Sequence, residues 1–176
     1  MIYAPSDDTF LLAECAGRYS GRRALELGVG SGLILNVLEK NFEFVTGSDI
    51  DLGALVFCRN RTSADLICCD AASAIASIRH FDLIVSNPPY LPDDMKIDSA
   101  VHGGPTGVEK TIHFIDSAMP MLSNEGRMLM VVSSLSDHAA LDRFLAKAKI
   151  KKKVLAEKKL FYETIAVAEL RDMRIS

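Results

Sequence analysis

The stretch Phe81-Asp82-Leu83-Ile84-Val85-Ser86-Asn87-Pro88-Pro89-Tyr90 joins a short apolar run to a corner that cannot continue as a strand. The apolar run, residues 81–86, is typical of a buried parallel strand. Neither proline has an N–H for a sheet ladder, and Pro88 also pushes Asn87 towards extended geometry. Open α/β sheets bind their ligands outside the carboxyl ends of such strands. The sequence therefore predicts a central strand that ends in a stiff corner facing a ligand.

The corner offers hydrogen-bond acceptors beside an aromatic ring. The side-chain oxygen of Asn87 and the carbonyl oxygen of Pro88 need not serve the fold, and Tyr90 supplies a flat surface. Two converging acceptors beside a ring face suit a planar –NH2 group, because each N–H then has a partner. A rigid turn without any ligand is the alternative, since X-Pro turns are common.

Length and composition indicate an ordinary globular domain. The chain has 176 residues, 49% hydrophobic and 24% charged, and a formal charge of −3. That charge gives no general attraction to nucleic acid or to an anionic membrane. No apolar run approaches the length of a membrane span, the first residues do not form a signal peptide, and the four cysteines show no metal-ligand spacing. We therefore expect one cytoplasmic domain over residues 1–176, with no metal.

A glycine-rich turn follows the first predicted strand, residues 24–27. Its sequence is Gly28-Val29-Gly30-Ser31-Gly32, and such a turn lets a ligand approach the backbone. The spacing differs from that of dinucleotide sites. Glu26 stands just before the turn, where a carboxylate would repel a diphosphate but attract a cation. S-adenosyl-L-methionine, which carries a sulfonium and an ammonium group, fits better than a nicotinamide dinucleotide.

Acidic residues also end the next two predicted strands. Asp49 follows the strand at 44–48, about where a ribose-binding acid is expected. Its alternative role is the N-cap of a helix that begins at residue 52, which Asp51 could equally fill. Asp70 follows the strand at 64–69, in register to reach the exocyclic amine of an adenine. Polar ligands at four successive strand ends are more specific than any one of them.

The remaining segments complete an alternating α/β pattern. Ser6 is a plausible N-cap for a helix towards residue 19. The later segments predict a helix over 71–78, a loop over 91–106, a helix over 108–122 ended by Asn124 and Gly126, a strand over 127–133, a helix over 136–148, and a hairpin of strands 152–155 and 164–170. Seven lysines lie between residues 147 and 159. They indicate a solvated sheet edge, with a patch for an RNA-bearing or acidic partner as the second interpretation.

With these motifs in one register, the chain resembles the class I S-adenosylmethionine-dependent methyltransferases. More narrowly, it is similar to the HemK-like protein glutamine methyltransferases, in the short archaeal and eukaryotic branch that modifies release factors. The narrower resemblance rests on the stretch from Tyr3 to Leu12, on the corner, and on His102-Gly103-Gly104-x-x-Gly107. His102 departs from the small or acidic residue expected there. The corner itself is shared with adenine- and guanine-amino methyltransferases, so it does not choose the substrate.

The resemblance implies a fold, a cofactor and a set of roles. The fold is an α/β Rossmann-like sheet of seven strands in the order 3-2-1-4-5-7-6, with only strand 7 antiparallel and helices on both faces. The N-terminal segment, residues 1–20, would pack over the cofactor site. The residues implied in catalysis are Asn87, Pro88, Pro89 and Tyr90, and Asn87, Pro88 and Tyr90 would hold the target amide. Those implied in binding S-adenosyl-L-methionine are Thr9, Glu26, Gly28, Gly30, Asp49, Ile50, Asp70, Ala71 and Asn87.

The resemblance also suggests a release factor as substrate and a small zinc-binding activator as partner. The activator would pair with an edge strand at 64–69, where Leu66-Ile67-Cys68-Cys69 is unusually apolar for an exposed edge. A covered core strand is the alternative explanation of that run. Two other functions stay open: an N6-adenine or N2-guanine methyltransferase of RNA or DNA, and a cofactor-binding partner subunit without turnover.

Overall fold

The computed structural model describes residues 4–77, 80–92 and 102–175. In these ranges the strands are β1 (Gly21–Leu27), β2 (Phe42–Asp49), β3 (Asp65–Cys68), β4 (Phe81–Ser86), β5 (Leu91–Pro92), β6 (His102–Gly104), β7 (Leu122–Ser133), β8 (Ile150–Lys159) and β9 (Thr164–Asp172). The α-helices are α1 (Asp7–Ala16), α2 (Leu33–Leu38), α3 (Leu52–Cys58), α4 (Glu109–Ala118) and α5 (His138–Ala148). Short 3-10 turns follow α4 and β9.

Seven strands form one sheet in the order β3-β2-β1-β4-β7-β9-β8. The pairs among β3, β2, β1, β4 and β7 are parallel, whereas β9 runs antiparallel to both of its neighbours. The separate pair β5–β6 lies outside this sheet. Without that pair, the order is the predicted 3-2-1-4-5-7-6, and both the order and the single antiparallel strand are confirmed.

Helices cover both faces of the sheet, because successive residues of each buried strand point to opposite sides. On β1, Leu25 and Leu27 belong to one apolar cluster and Ala24 to the other. Helices α4 and α5 pack on the first face, and α1, α2 and α3 on the second. The buried helical residues of the first face are Ile115, Ala118, Leu141 and Leu145, and those of the second are Leu12, Cys15, Ala16, Ile34, Leu35, Leu38, Ala54, Leu55 and Cys58.

The N-terminal helix is tied to the far end of the chain. Ser6 is its N-cap, as predicted, and forms a capping box with Thr9. Beyond the helix, the Tyr19 hydroxyl donates to Glu169 on β9 at 2.6 Å. The Lys158 ammonium on β8 pairs with Asp7 at 2.7 Å. Residues 1–3, including Tyr3 of the family motif, lie outside the described residues.

The predicted helix over 71–78 is wrong for the residues that the structure describes. Residues 71–74 form a turn and residues 76–77 have no regular structure. Ala71 has a φ of +47°, in the left-handed region, so a right-handed helix cannot begin there. The buried Ser48 hydroxyl donates to the Ala71 carbonyl oxygen at 2.7 Å and so helps to hold this turn against β2.

The boundary between α4 and β7 was also predicted wrongly. The helix ends at Ala118, and Asn124 and Gly126 lie inside β7 instead of separating it from the helix. A Cβ on Gly126 would stand 2.7 Å from the carbonyl oxygen of Phe81. Glycine therefore allows close backbone approach where the β4–β7 register shifts, a role that glycine often has inside strands. The two hairpin strands are longer than predicted.

The strand β3 lies at the edge of the sheet, with Leu66 and Ile67 half-buried and Cys68 exposed. Within the described ranges no strand pairs with its outer side, so the interpretation as a covered core strand is wrong. The predicted loop over 91–106 contains the β5–β6 pair, and its residues 93–101 lie outside the described part. None of the helices described is both long and apolar enough to span a lipid bilayer.

Candidate functional site

The carboxyl ends of the three adjacent strands β2, β1 and β4 lie side by side, and we call this place the strand-end site. Leu27 at the end of β1 pairs with Ser48 on one side and with Ser86 on the other. The buried Ser86 hydroxyl donates to the Leu27 carbonyl oxygen at 3.0 Å and so ties β4 to β1. Gly28 and Asn87, the residues that follow these strand ends, therefore lie side by side, as the sequence predicted.

The glycine turn closes over the end of β2. Gly28 and Gly30 have φ values of +78° and +46°, which glycine adopts without the steric cost of a side chain. The N–H of Gly28 donates to the Ser48 carbonyl oxygen at 2.8 Å. The N–H of Gly30 donates to the Asp49 carboxylate at 3.0 Å. The turn thus has a fixed shape, which is set partly by Asp49, a residue predicted to bind the cofactor.

Asp49 is not a helix cap, and the alternative left open by its position is resolved. The side chain of Asp51 caps α3 by accepting from the Gly53 N–H at 2.7 Å. The second oxygen of Asp49 accepts from the Asp51 N–H at 2.8 Å. Ile50, between the two acids, is 73% exposed and stands beside the same strand end. Ribose binding by Asp49 and a cofactor contact from Ile50 stay predictions.

Glu26 is a buried carboxyl group with an unused acceptor. Its side chain is buried on β1, and its Oε2 has no hydrogen-bond partner among the described residues. Burial raises the pKa of Glu26 well above its ordinary value, and the charge of Asp49 raises it further, whereas the Leu35 backbone N–H lowers it. A ligand that brings a cation or an N–H donor would satisfy this oxygen. The site therefore fits the ammonium-bearing cofactor predicted from the sequence.

Asn87 carries the second unused buried acceptor. Its Oδ1 is buried and has no hydrogen-bond partner within the described ranges. Such atoms are rare in folded proteins, and each requires an explanation. Glu26 and Asn87 are the two residues with such an atom in that part of the chain, and they lie at the ends of paired strands. Both unused acceptors thus belong to the strand-end site.

Burial and two tertiary contacts hold the corner after Asn87. Pro88 is buried. A Cβ on Gly103 would stand 2.8 Å from the Pro89 carbonyl oxygen, so the β6 backbone can lie against the corner only with glycine there. The Ser136 hydroxyl donates to the Tyr90 carbonyl oxygen at 2.7 Å. The stiffness predicted from two prolines is thus reinforced by tertiary contacts.

The Tyr90 hydroxyl donates to the Asp8 carboxylate at 3.0 Å, which joins α1 to the corner. Asp8 is 2% exposed and also accepts from the Ser6 hydroxyl and the Thr9 N–H, both at 2.6 Å. The Thr9 hydroxyl donates to the same carboxylate at 3.1 Å. The sequence suggested only a helix-dipole role and a family motif for Asp8. The bond between Asp8 and Tyr90 brings the neighbouring Thr9 to the site. Contact between Thr9 and a cofactor stays a prediction.

Asp70 lies near the site but pairs with a residue that the sequence analysis did not single out. Its Oδ1 is 3.0 Å from Nε2 of His113 on α4, and both side chains are about half exposed. Phe114, the next residue on α4, is the side chain nearest to Gly28 on its open side, 3.9 Å from where a Cβ would lie. Helix α4 therefore borders the cofactor side of the sheet edge. Adenine binding by Asp70 and Ala71 stays a prediction.

Comparison with known proteins gives consistent relatives. A Methanocaldococcus jannaschii protein, provisionally named a protein N5-glutamine methyltransferase, is 29% identical over 94% of this chain and 89% of its own length. A Pedobacter heparinus tRNA1(Val) (adenine(37)-N6)-methyltransferase is 28% identical over 71% of this chain and 58% of its own.

Among solved structures, the E. cuniculi Mtq2–Trm112 complex, responsible for methylation of the eRF1 translation termination factor, contains a chain that superposes with a TM-score of 0.81. That chain is 25% identical, and the match covers 97% of this chain and 98% of the other. The model of the methyltransferase small domain matches residues 7–162. This range runs from α1 through the whole strand-end site to the β8–β9 hairpin, and the chain therefore belongs to the methyltransferase small domain family.

Proposed function

We propose that this chain transfers a methyl group from S-adenosyl-L-methionine to the side-chain amide nitrogen of a glutamine in a peptide chain release factor. The observation that carries the proposal is the buried, unused Oδ1 of Asn87, held in a proline corner beside Tyr90. The archaeal relative and the E. cuniculi complex support glutamine in a termination factor as the substrate class.

The cofactor fits the residues at the strand ends. When bound, S-adenosyl-L-methionine supplies an electrophilic methyl carbon on a positively charged sulfur. The unused oxygen of buried Glu26 would accept from its ammonium group, and the glycine turn would let it approach the backbone of Gly28 and Gly30. Asp49 and Ile50 would hold the ribose side, and Asp70 and Ala71 the adenine. Helix α1, which carries Thr9, would cover the cofactor as part of one domain spanning residues 1–176.

The corner would position the acceptor amide. An amide nitrogen is a poor nucleophile, because its lone pair is delocalised into the carbonyl group. Asn87 Oδ1 and the Pro88 carbonyl oxygen would each accept one N–H of the –NH2 group, and the Tyr90 ring would hold its plane. Held in this way, the lone pair would face a bound methyl donor, so that these residues would act mainly by orientation. Methyl transfer would leave the donor sulfur as a neutral thioether, and the alkylated nitrogen would lose its extra proton to water. Pro89 keeps the backbone of the corner rigid, and no strong general base is needed before transfer.

The edge strand β3 would bind a small zinc-binding activator. Its outer side has no strand partner in the described part of the chain, and the neighbouring helix α3 exposes apolar side chains. Leu52 and Val56 on this helix are both 62% exposed. Strand addition at such an edge supplies main-chain hydrogen bonds. The structural neighbour is itself a complex with a second protein, Trm112. A release-factor substrate would also place the enzyme in the cytoplasm.

An N6-adenine methyltransferase of RNA is the second candidate. The Pedobacter heparinus relative acts on a tRNA adenine, and an exocyclic amine is as planar as an amide. The same acceptors could therefore hold it. The formal charge of −3 disfavours RNA, because such binding depends on neutralising phosphates.

The two candidates can be separated in one experiment. The chain is incubated with methyl-labelled S-adenosyl-L-methionine and either a purified class I release factor or total tRNA, with and without a Trm112-type protein. We expect label on a single release-factor glutamine, and no label when that glutamine is replaced by glutamate. Label on tRNA alone would contradict the proposal. Donor binding without transfer to either acceptor would favour a non-catalytic subunit instead.

A further inference from the structure

We propose that the tip of the β8–β9 hairpin, residues 160–163, is a docking point for an acidic surface of the protein that is methylated. The proposal rests on the proposed function for the identity of that protein, but the tip itself is no part of the strand-end site. Docking at this tip would favour methylation of a whole protein over that of any exposed amide.

Two aromatic side chains stand almost fully exposed at this hairpin tip. Phe161 is 91% exposed and Tyr162 is 84% exposed. Their rings pack edge to face, with centroids 4.6 Å apart, so each restricts the motion of the other. Aromatic residues are enriched at protein interfaces, where they bury a large area for little loss of side-chain entropy. An exposed pair of this kind is thus a preformed anchor for a partner.

The hairpin tip lies at the same end of the sheet as the proline corner, where the parallel strands have their carboxyl ends. Strand β8 runs parallel to β1 and β4, so its carboxyl end points to the site, and the tip follows directly. At the base of the tip, the Thr164 carbonyl oxygen accepts from the Ser134 N–H at 2.9 Å. Two residues further on, the Ser136 hydroxyl donates to the Tyr90 carbonyl oxygen. A protein bound at the corner would therefore pass close to the tip.

Helix α1 supplies a second connection between the two places. Asp7 pairs with Lys158, two residues before the tip, while the adjacent Asp8 accepts from the Tyr90 hydroxyl. One turn of helix thus fixes both the strand that leads into the tip and the aromatic ring of the corner. The spacing between the anchor and the corner is set by the fold.

The charge beside the tip is positive. The segment 147–159 contains seven lysines and a single acid, Glu157. Lys159, which precedes the tip, is exposed and makes no ion pair with any residue that the structure describes. The one acid of the tip, Glu163, accepts a hydrogen bond from the Ser133 hydroxyl. Aromatic rings beside unpaired positive charge complement an acidic protein surface, whereas the net negative charge of the chain disfavours RNA.

The test compares an intact release factor with a short peptide that carries the same glutamine. The variants are the double substitution Phe161→Ala/Tyr162→Ala and the charge reversal Lys159→Glu. We expect each to raise KM for the intact protein by about tenfold or more, as the loss of a central interface contact does. The kcat, the donor Kd and all constants for the peptide should stay unchanged. Added salt should raise KM less for Lys159→Glu than for the unchanged protein.

Matched controls come from the opposite end of the strands, away from the site. Phe44→Ala removes another exposed aromatic ring, and Lys151→Glu reverses a charge at the start of β8, about 26 Å along the strand from Lys159. Both should leave KM for the intact protein unchanged. Equal KM values for tip and control variants, or equal effects on peptide and intact protein, would overturn the docking proposal while leaving the proposed function in place. If the unchanged chain methylates tRNA and not the release factor, both proposals are wrong.

Discussion

Replacing Asn87 with alanine should stabilise the chain and abolish its activity. The side-chain oxygen of Asn87 is buried without a hydrogen-bond partner in the described structure, which is unfavourable for folding. In the proposed reaction the same atom accepts an N–H of the acceptor amide. The substitution removes a folding penalty and a positioning contact together. Stability and activity should therefore change in opposite directions.

The size of each effect follows from the environment of this atom. An unsatisfied buried acceptor costs about 1–3 kcal/mol, and the lost packing of a partly exposed side chain offsets part of the gain. A net gain of about 1 kcal/mol would raise Tm by about 2–4 °C in a chain of this length. Removing one preorganised contact to a reacting group typically lowers kcat by about 10²–10³-fold.

The measurements are thermal unfolding without donor, and kcat/KM with labelled donor and release factor. Asn124→Ala is the matched control and should change neither quantity. This asparagine is exposed near the amino end of β7, at the opposite end of the sheet from the site. Asn87→Asp keeps an oxygen at the same position but adds a buried charge, so it should lower Tm. A fall in Tm of several degrees in Asn87→Ala, or retention of more than a tenth of the activity, would contradict both roles of this oxygen.

Two further substitutions test the rest of the site. The folded-state pKa of Glu26 is raised, so its contribution to stability is present below the ordinary carboxyl pKa of 4.5 and is lost as the pH rises through the raised value. Glu26→Gln should therefore flatten the fall of Tm above about pH 5 and weaken donor binding about tenfold, and an unchanged Tm slope would contradict this. Tyr90→Phe leaves the 2% exposed Asp8 carboxylate without one donor and should cost about 1–3 kcal/mol of unfolding free energy. A double-mutant cycle with Asp8→Asn should give a coupling above about 0.5 kcal/mol, and strict additivity would show that the bond contributes nothing.

The strand ends could be predicted from the sequence because their signals are local. Each predicted strand, at 24–27, 44–48, 64–69 and 81–86, is followed directly by a glycine or a polar residue, and parallel pairing brings such strand ends together. The hydrogen bond between Asp8 and Tyr90 joins residues 82 positions apart. Nothing in the local pattern distinguishes that acid from an ordinary helix-dipole residue, so the bond could be found only in the fold.

The errors arise where long-range contacts oppose the local sequence pattern. The segment after Asp70 reads as a helix because alanines dominate it, but tertiary contacts fix Ala71 at a positive φ. Gly126 has the position of a helix end in the sequence pattern, but it permits close contact with Phe81 inside a strand. In both places a long-range backbone contact overrides a local preference, as the weak energies of propensity allow.

The bonds of Asp7 and Tyr19 to the last two strands also bear on how the chain folds. They span 151 and 150 positions, whereas the apolar face of α1 can pack on α2 early in synthesis. At about 5–20 residues per second, the last two strands follow the first helix by roughly 8–30 s. A nascent chain would therefore hold its first helix by apolar packing before these polar bonds can form. Synthesis of the C-terminal hairpin then completes the attachment of the N-terminal segment.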